Sequence, residues 1–118
     1  MNDISIVIIS LNAEKFILQV LDKAKMLSND IVVVDSGSSD KTEKYCEKYK
    51  LSFSVKKWAG YGAQKNYGNS LARHDWILSL DADEIMTEEL VREISQLTLG
   101  AHVVYSIPFA SSYCGKLI

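Results

Sequence analysis

The chain has 118 residues, of which 47% are hydrophobic and 24% charged, and its formal net charge is −2. This length corresponds to one domain, and the weak charge excludes the strongly basic surface of a nucleic-acid-binding protein. No apolar run approaches the roughly 20 residues that cross a bilayer, and the start Met1-Asn2-Asp3 is not that of a signal peptide. Cys46 and Cys114 lack metal-ligand spacing and are expected to be free thiols, which favours a cytoplasmic location.

The first half of the chain alternates buried strands with helices. Residues 4–9 are β-branched at five of six positions and predict a strand covered on both faces. An amphipathic helix follows, and residues 31–34 predict a second buried strand. The small polar turn 35–40 then leads to a short helix, for which Asp40 and Glu43 have the spacing of a capping box.

The second half continues the same alternation. Its predicted elements are a peripheral strand at 51–55, a helix at 64–73, a strand at 76–80, a helix from Thr87 to Leu99 and a strand at 103–107. The segment from Phe109 to Ile118 shows no periodic element. The order β-α-β-α-β-α-β-α-β predicts an α/β fold with a mostly parallel sheet and helices on both faces.

The most informative stretch passes from the strand at 76–80 into three acids within four residues, Asp81, Asp83 and Glu84. These acids follow a central strand, where open α/β sheets place their ligand crevice. Carboxylates this close repel one another unless a cation or hydrogen-bond donors compensate them. Mg²⁺ or Mn²⁺ is the expected counter-charge, because both ions prefer oxygen ligands. The alternative is a solvated acidic loop that favours the start of the next helix.

Polar residues also follow the first two strands, and parallel strands bring them to the same edge of the sheet. Asp35 is expected either to cap the turn at Gly37 or to accept the imide N–H of a uracil. Asn12 and Glu14 are expected at the ligand edge, although the same pair is common in a first helical turn. The sequence therefore predicts a polar site built from several strand ends.

The glycine-containing loop before the helix at 64–73 carries one cation, Lys65. It lacks the third glycine of the dinucleotide fingerprint and the Gly-Lys-Ser/Thr ending of a nucleotide-triphosphate loop. A lysine at a helix N-terminus suits a diphosphate, and the alternative is an ordinary surface lysine. Trp58 and Tyr61 either line a sugar pocket or anchor this loop.

Three of these stretches together resemble the signatures of family-2 inverting glycosyltransferases with the GT-A fold. Residues 31–42 resemble the "VVDDGSTDGT" signature, and Asp81-Ala82-Asp83 resembles the DXD motif. Residues 6–14 resemble the first-strand signature that ends in Asn-Glu. More narrowly, residues 58–66 and 75–84 resemble the bacterial lipopolysaccharide-core beta-1,4-glucosyltransferase subgroup. The resemblance covers nearly the whole chain.

The resemblance implies a UDP-sugar donor, with UDP-glucose expected, and a lipopolysaccharide-core or related cell-envelope glycan as acceptor, with inversion. It implies that Asp35 contacts the uracil, that Asp81 contacts the ribose or sugar, and that Asp83 ligates Mg²⁺ or Mn²⁺ at the diphosphate. The full implied donor site comprises Ser10, Asn12, Glu14, Asp35, Lys65, Asp81 and Asp83.

The chain departs from the family pattern at three positions near strand ends and in having no acid late in its sequence. Ile9, Leu11 and Ser36 stand where relatives often have proline, a base-stacking tyrosine and a second aspartate. The family's catalytic base lies far downstream of the DXD motif, and no acid follows Glu93 here. We therefore expect residues 1–118 to be the donor part without the acceptor part, inactive alone, with the base beyond Ile118. Any membrane association is expected to be peripheral, at the cytoplasmic face.

Three rival functions remain at this point. A haloacid-dehalogenase-like phosphatase also uses Asp-x-Asp, but its motif continues to a threonine where this chain has Ile85. A phospho-receiver domain has this length but needs an acidic pair after the first strand. The third rival is a nucleotide-binding module that does not catalyse.

Overall fold

The computed structural model describes residues 4–96, 104–106 and 113–116. The strands are β1 (Ile4–Ser10), β2 (Asp30–Asp35), β3 (Ser52–Val55), β4 (Trp76–Asp81), β5 (Val104–Ser106) and β6 (Tyr113–Lys116). The helices are α1 (Ile17–Leu27), α2 (Thr42–Cys46), α3 (Tyr61–Leu71) and α4 (Glu88–Ser95). The strands form one sheet in the order β3-β2-β1-β4-β6-β5. The first four in this order are parallel, whereas β6 runs antiparallel to β4 and β5 antiparallel to β6.

The centre of the sheet is buried on both faces, because β1 and β2 are buried at every position. Continuous apolar strands of this kind are typical of parallel sheets covered by helices on both sides. On one face, Ile4, Ile6 and Ile8 belong to the large core that includes the apolar side chains of α1 and α4. On the other face, Val7 and Ile9 belong to a smaller cluster.

Helix α3 covers this smaller cluster at very short range. A Cβ atom added to Gly68 would lie 2.5 Å from Val7 Cγ1 and 3.0 Å from Val34 Cγ2. A larger side chain would therefore force the helix away from β1 and β2. This close contact fixes the distance between α3 and the two strands.

Helices α1, α2 and α4 lie on the opposite face of the sheet. The predicted core face of α1 is confirmed, with Ile17, Val20, Leu21, Ala24 and Leu27 buried. Helix α4 is capped as predicted by Thr87, whose side chain accepts a hydrogen bond from the Leu90 N–H at 3.0 Å. The predicted α/β fold with helices on both faces is therefore confirmed.

Three details of the sequence interpretation are wrong. The segment after Phe109 contains β6, which the sequence Tyr113-Cys114-Gly115-Lys116 did not reveal, because a glycine weakens strand character and no apolar alternation marks it. The capping box does not form, because Lys41 is the N-cap of α2 and the side chain of Asp40 accepts a hydrogen bond from the Thr42 N–H instead. Helix α2 also ends at Cys46 rather than at Tyr49.

The remaining predictions fall at the edges of the described residues. The expected end of α4 at Leu99 lies outside them, and of the strand predicted at 103–107 they include only β5. The thiol of Cys46 is free and buried, and burial, together with the charges of Asp35 and Glu43, raises its pKa to about 12. Within the described residues, no helix has the length and hydropathy needed to cross a membrane.

Candidate functional site

A cleft of about 740 Å³ opens at the carboxyl edge of the parallel strands. Its polar and aromatic lining residues are Ser10, Asn12, Lys15, Phe16, Ser36, Trp58, Tyr61, Asp81 and Asp83. These residues come from the end of β1 and the loop that follows it, from the ends of β2 and β4, and from the start of α3 and the loop before it. Of the seven residues predicted to bind a ligand, the structure brings Ser10, Asn12, Asp81 and Asp83 together around the cleft.

Asp35 lies beneath the cleft and organises the turn after β2. It is 1% exposed, and its Oδ1 accepts hydrogen bonds from Ser10 Oγ at 2.7 Å and from Ser38 Oγ at 2.6 Å. Its Oδ2 accepts from the N–H groups of Gly37 at 2.9 Å and Ser38 at 2.6 Å. The turn-capping interpretation is thus observed, with Gly37 at a φ of +104°. A contact between Asp35 and uracil stays a prediction.

Asn12 connects the loop after β1 with the turn after β2. Its φ of 49° lies in the left-handed region, which asparagine tolerates better than most residues. Its N–H donates to Ser38 Oγ at 2.7 Å, and its Oδ1 accepts from the Ser39 N–H at 2.8 Å. Asn12 therefore joins the loop after β1 to the turn after β2 by hydrogen bonds and also lines the cleft.

In the loop after β1, the two backbone N–H groups that follow Asn12 donate hydrogen bonds to side chains in the segment after β2. Ala13 N–H donates to Thr42 Oγ1 at 2.7 Å, and Glu14 N–H donates to Asp40 Oδ2 at 3.1 Å. Desolvation raises the pKa of Asp40, but hydrogen bonds from Thr42 and from Glu14 outweigh this effect and leave the pKa below its ordinary value. Sequence reasoning missed this link, because it assigned Asp40 to a capping box. The exposed side chain of Glu14 does not line the cleft.

Asp81 ends β4 and is held from two sides. The Tyr61 hydroxyl donates a hydrogen bond to Asp81 Oδ1, and the Asp81 N–H donates to Glu84 Oε1 at 2.8 Å. The Glu84 N–H donates in turn to Asp81 O at 3.0 Å and closes the turn that presents Asp83 to solvent. This geometry is a defined acidic turn rather than a loosely solvated loop.

Tyr61 and Trp58 form an aromatic wall of the cleft. Their ring centroids lie 6.2 Å apart, and both side chains remain exposed. Burial raises the pKa of Tyr61 first, and the hydrogen bond to Asp81 and the charges of Asp81, Glu84 and Asp83 raise it further. Tyr61 therefore stays a neutral hydrogen-bond donor at physiological pH. Both suggested roles, lining a pocket and anchoring the loop, are compatible with this position.

Lys65 lies one helical turn after Tyr61, and its Nζ is 4.5 Å from the centroid of the Tyr61 ring. It does not line the cleft, so its predicted contact with a diphosphate stays a prediction.

Gln64 is a site residue that sequence reasoning missed, since a glutamine in a polar helix start carries no sign of burial. It is fully buried, and its Nε2 donates to Lys56 O at 3.1 Å and to Ser36 Oγ at 3.4 Å. Gln64 thereby ties the loop after β3 to a cleft-lining serine.

The described residues of this cleft offer a divalent ion only part of its coordination sphere. Within the part of the chain that the structure describes, no group of three or more His, Cys, Asp or Glu side chains is arranged to hold a metal. Mg²⁺ sites in proteins often use one or two carboxylates and complete their coordination with water and substrate phosphates. Asp83, with Asp81 beside it in the cleft, suits that kind of incomplete site.

Comparison with known proteins assigns the family. Residues 5–113 match the profile "Glycosyl transferase family 2". The chain belongs to this family. The resemblance seen in the strand-end signatures is thereby confirmed at the level of the family.

Individual relatives agree with this assignment. An uncharacterized glycosyltransferase of Rickettsia conorii is 36% identical over 94 residues, which are 80% of this chain and 33% of that protein. The lipopolysaccharide core biosynthesis glycosyltransferase LpsC of Rhizobium meliloti is 31% identical over 103 residues, covering 83% of this chain and 37% of that protein. The chain thus spans about a third of the length of these relatives.

A solved structure adds ligands to the comparison. Glucosyl-3-phosphoglycerate synthase from Mycobacterium tuberculosis, in complex with UDP, matches with a TM-score of 0.62 and 25% identity over 70% of this chain and 34% of that chain. Its complex with Mn²⁺, UDP and glucosyl-3-phosphoglycerate matches with a TM-score of 0.57 and 25% identity over 68% of this chain and 33% of that chain. The predicted GT-A-type α/β fold is confirmed by this similarity.

Proposed function

We propose that the cleft at the carboxyl edge binds the UDP part of a UDP-sugar together with Mg²⁺ or Mn²⁺, as the donor site of an inverting glycosyltransferase. The observation that carries this proposal is the convergence of Asp81 and Asp83 with Ser10, Asn12 and Ser36 around one cleft. Polar groups from three separate strand ends are not needed for packing, and a strand-end crevice is the usual ligand position in an α/β sheet. Membership of the family and a UDP- and Mn²⁺-bound structural neighbour support the same function.

In this proposal the site has a nucleoside end and a diphosphate end. Asp35 would either accept the imide N–H of uracil directly or position Ser10 and Ser38 at the part of the cleft that contacts the base. Asp81 would contact the ribose, and Asp83 would ligate the ion. Lys65 would approach the diphosphate from α3, and Glu14 would contribute from the rim. With the ion bound, Lewis-acid stabilisation of the leaving diphosphate becomes available.

The sugar and acceptor belong to the whole protein and are proposed from similarity. We propose glucose as the transferred sugar, as the resemblance of residues 58–66 and 75–84 implies, and a lipopolysaccharide-core or related cell-envelope glycan as the acceptor, because the name of LpsC refers to that core. We also propose that residues 1–118 are the donor part, that the catalytic base lies beyond Ile118, and that transfer takes place at the cytoplasmic side of the membrane.

A calorimetric comparison of nucleotides tests the donor class. UDP, GDP, CDP and ADP are titrated into the folded protein in the presence of Mn²⁺, followed by UDP-glucose and UDP-galactose. The proposal expects UDP to bind at least tenfold more tightly than the other diphosphates, a difference of about 1.4 kcal/mol. Equal binding of all four would contradict a uracil-specific site.

The non-catalytic alternative shares the binding site and differs only in turnover. A longer version of the protein that releases UDP from UDP-glucose when acceptor glycan is added would exclude it. A longer version that binds UDP-glucose as tightly but releases no UDP with any envelope glycan would favour it.

A further inference from the structure

Glu84 has a buried carboxylate with one occupied and one unpartnered oxygen. The residue is 7% exposed, and its Oε1 accepts the Asp81 N–H at 2.8 Å. Its Oε2 has no hydrogen-bond partner among the described residues. A buried carboxylate oxygen without a donor is costly and calls for a compensating cation or water. Such an atom directly beside the acids of a cleft needs an explanation.

The charge of Glu84 acts on the same end of the cleft as the charges of Asp81 and Asp83. All three carboxylates raise the pKa of the Tyr61 hydroxyl, which lies in the cleft wall. Asp83 is exposed, whereas Glu84 is buried and does not itself line the cleft; its carboxylate is joined through Oε1 to the backbone of Asp81, which does line it. Glu84 therefore contributes negative charge from directly behind Asp81, next to the place where the ion is proposed to bind.

We propose that Glu84 is a positioning residue for the divalent ion of the donor site: its Oε1 fixes the backbone of Asp81, and its Oε2 accepts a hydrogen bond from a water ligand of the ion. This inference rests on the proposed function, because it requires an ion at Asp83. This role explains how so few protein ligands can hold the ion. A carboxylate outside the coordination sphere orients the groups that ligate the ion and attracts the positive charge without occupying a coordination position. The competing explanation is that Glu84 only shapes the turn through Oε1.

The variant Glu84→Gln separates these two roles. Glutamine keeps the size of the side chain and an oxygen that accepts the Asp81 N–H, but it loses the negative charge. The matched control is Glu89→Gln, which removes one charge from an exposed position in the first turn of α4. For each protein, the affinity for UDP is measured by calorimetry in saturating Mn²⁺ and again in EDTA. The ratio of the two affinities reports how much the ion contributes.

The proposal expects the ratio to fall about tenfold in Glu84→Gln, the smaller end of the effects seen when an outer partner of a metal ligand is lost. The affinity in EDTA should match the wild-type value, the melting temperature should not fall below that of the wild type, and Glu89→Gln should keep the wild-type ratio. An unchanged ratio in Glu84→Gln would overturn the inference. An equal loss of affinity in Mn²⁺ and in EDTA would also overturn it, because it would indicate a role in the turn alone.

Wild-type protein provides a second test that does not depend on the folding of the variant. Glutamate is labelled with ¹³C at the side-chain carboxyl, and the resonances are followed as Mn²⁺ is added in the presence of UDP. The Glu84 resonance should broaden well before that of Glu89. If both broaden together, the inference fails.

Failure of the proposed function would give a different result. In the calorimetric experiment, a wild-type ratio of one between the UDP affinities in Mn²⁺ and in EDTA would reject the metal-dependent donor site itself, so the two failures are distinguishable.

Discussion

At the amino edge of the sheet Ser5 of β1 is in register with Asp30 of β2, and at the carboxyl edge Ser10 is in register with Asp35. Each serine donates its hydroxyl to the aspartate, at 2.5 Å and 2.7 Å respectively. Both aspartates are buried, so the two ends of the same strand pair begin with the same arrangement. Only the surroundings differ between the two edges.

The amino edge is closed by a counter-charge. Arg73 donates to Asp30 through its backbone N–H at 2.8 Å and through Nε at 3.1 Å. At the carboxyl edge, the partners found for Asp35 are neutral hydroxyl and backbone N–H groups, and three further acids lie at or just after the end of β4. The comparison teaches that a buried acid with its own cation stabilises the fold. An edge that gathers acids around a cleft is suited to a ligand that brings the cation.

The largest expected contrast comes from the matched variants Asp30→Asn and Asp35→Asn. Asp30→Asn should lower the free energy of unfolding by roughly 2–3 kcal/mol, because hydrogen bonds to a charged group are lost. Its UDP affinity in Mn²⁺ should stay within about twofold of wild type, since distant sites without shared partners are nearly independent. Asp35→Asn should weaken UDP binding at least tenfold, about 1.4 kcal/mol.

Urea unfolding followed by circular dichroism and calorimetry with UDP provide the two measurements. The comparison of the edges would fail if Asp30→Asn reduced UDP affinity as strongly as Asp35→Asn in samples that are both folded.

A smaller effect is expected in acid. Burial raises the pKa of Asp30, but hydrogen bonds from Ser5 and Arg73 and the charge of Arg73 outweigh it and lower the pKa below its ordinary value. The folded state thus favours the carboxylate, and this contribution is complete above the ordinary pKa and is lost as the pH falls towards the lowered one. The stability difference between wild type and Asp30→Asn should therefore shrink between about pH 5 and pH 3. A difference that is constant over this range in urea titrations would contradict the assignment.

The sequence predicts the fold well where one short stretch determines the structure. The apolar runs of β1 and β2, the spacing of α1 and the cap at Thr87 are local signals, and the structure confirms each of them. Strand β6 is different, because its pairing with β4 depends on a partner more than 30 residues away and not on its own composition.

The same distinction applies to the site. The acids after β4 and the polar residue Asn12 could be placed at one edge, because the topology of parallel strands requires it. The supporting contacts could not be predicted, since each joins distant segments: Tyr61 with Asp81, Gln64 with Ser36, and Asp40 with Glu14. The burial of Glu84 was equally hidden, because an acid at the start of a helix is ordinarily solvated.

The central claim is that the carboxyl edge is a donor site in which Asp83 holds a divalent ion at the diphosphate of UDP. Calorimetric titration of UDP with Mn²⁺ and with EDTA, on the wild type and on Asp83→Ala, tests it most directly. We expect the wild type to bind UDP in Mn²⁺ with micromolar affinity, about −8 kcal/mol, and to bind it much more weakly, though still measurably, in EDTA; the folded variant should bind it equally weakly in Mn²⁺. Equal UDP affinity in all of these conditions, or no binding to a folded wild-type protein, would contradict it.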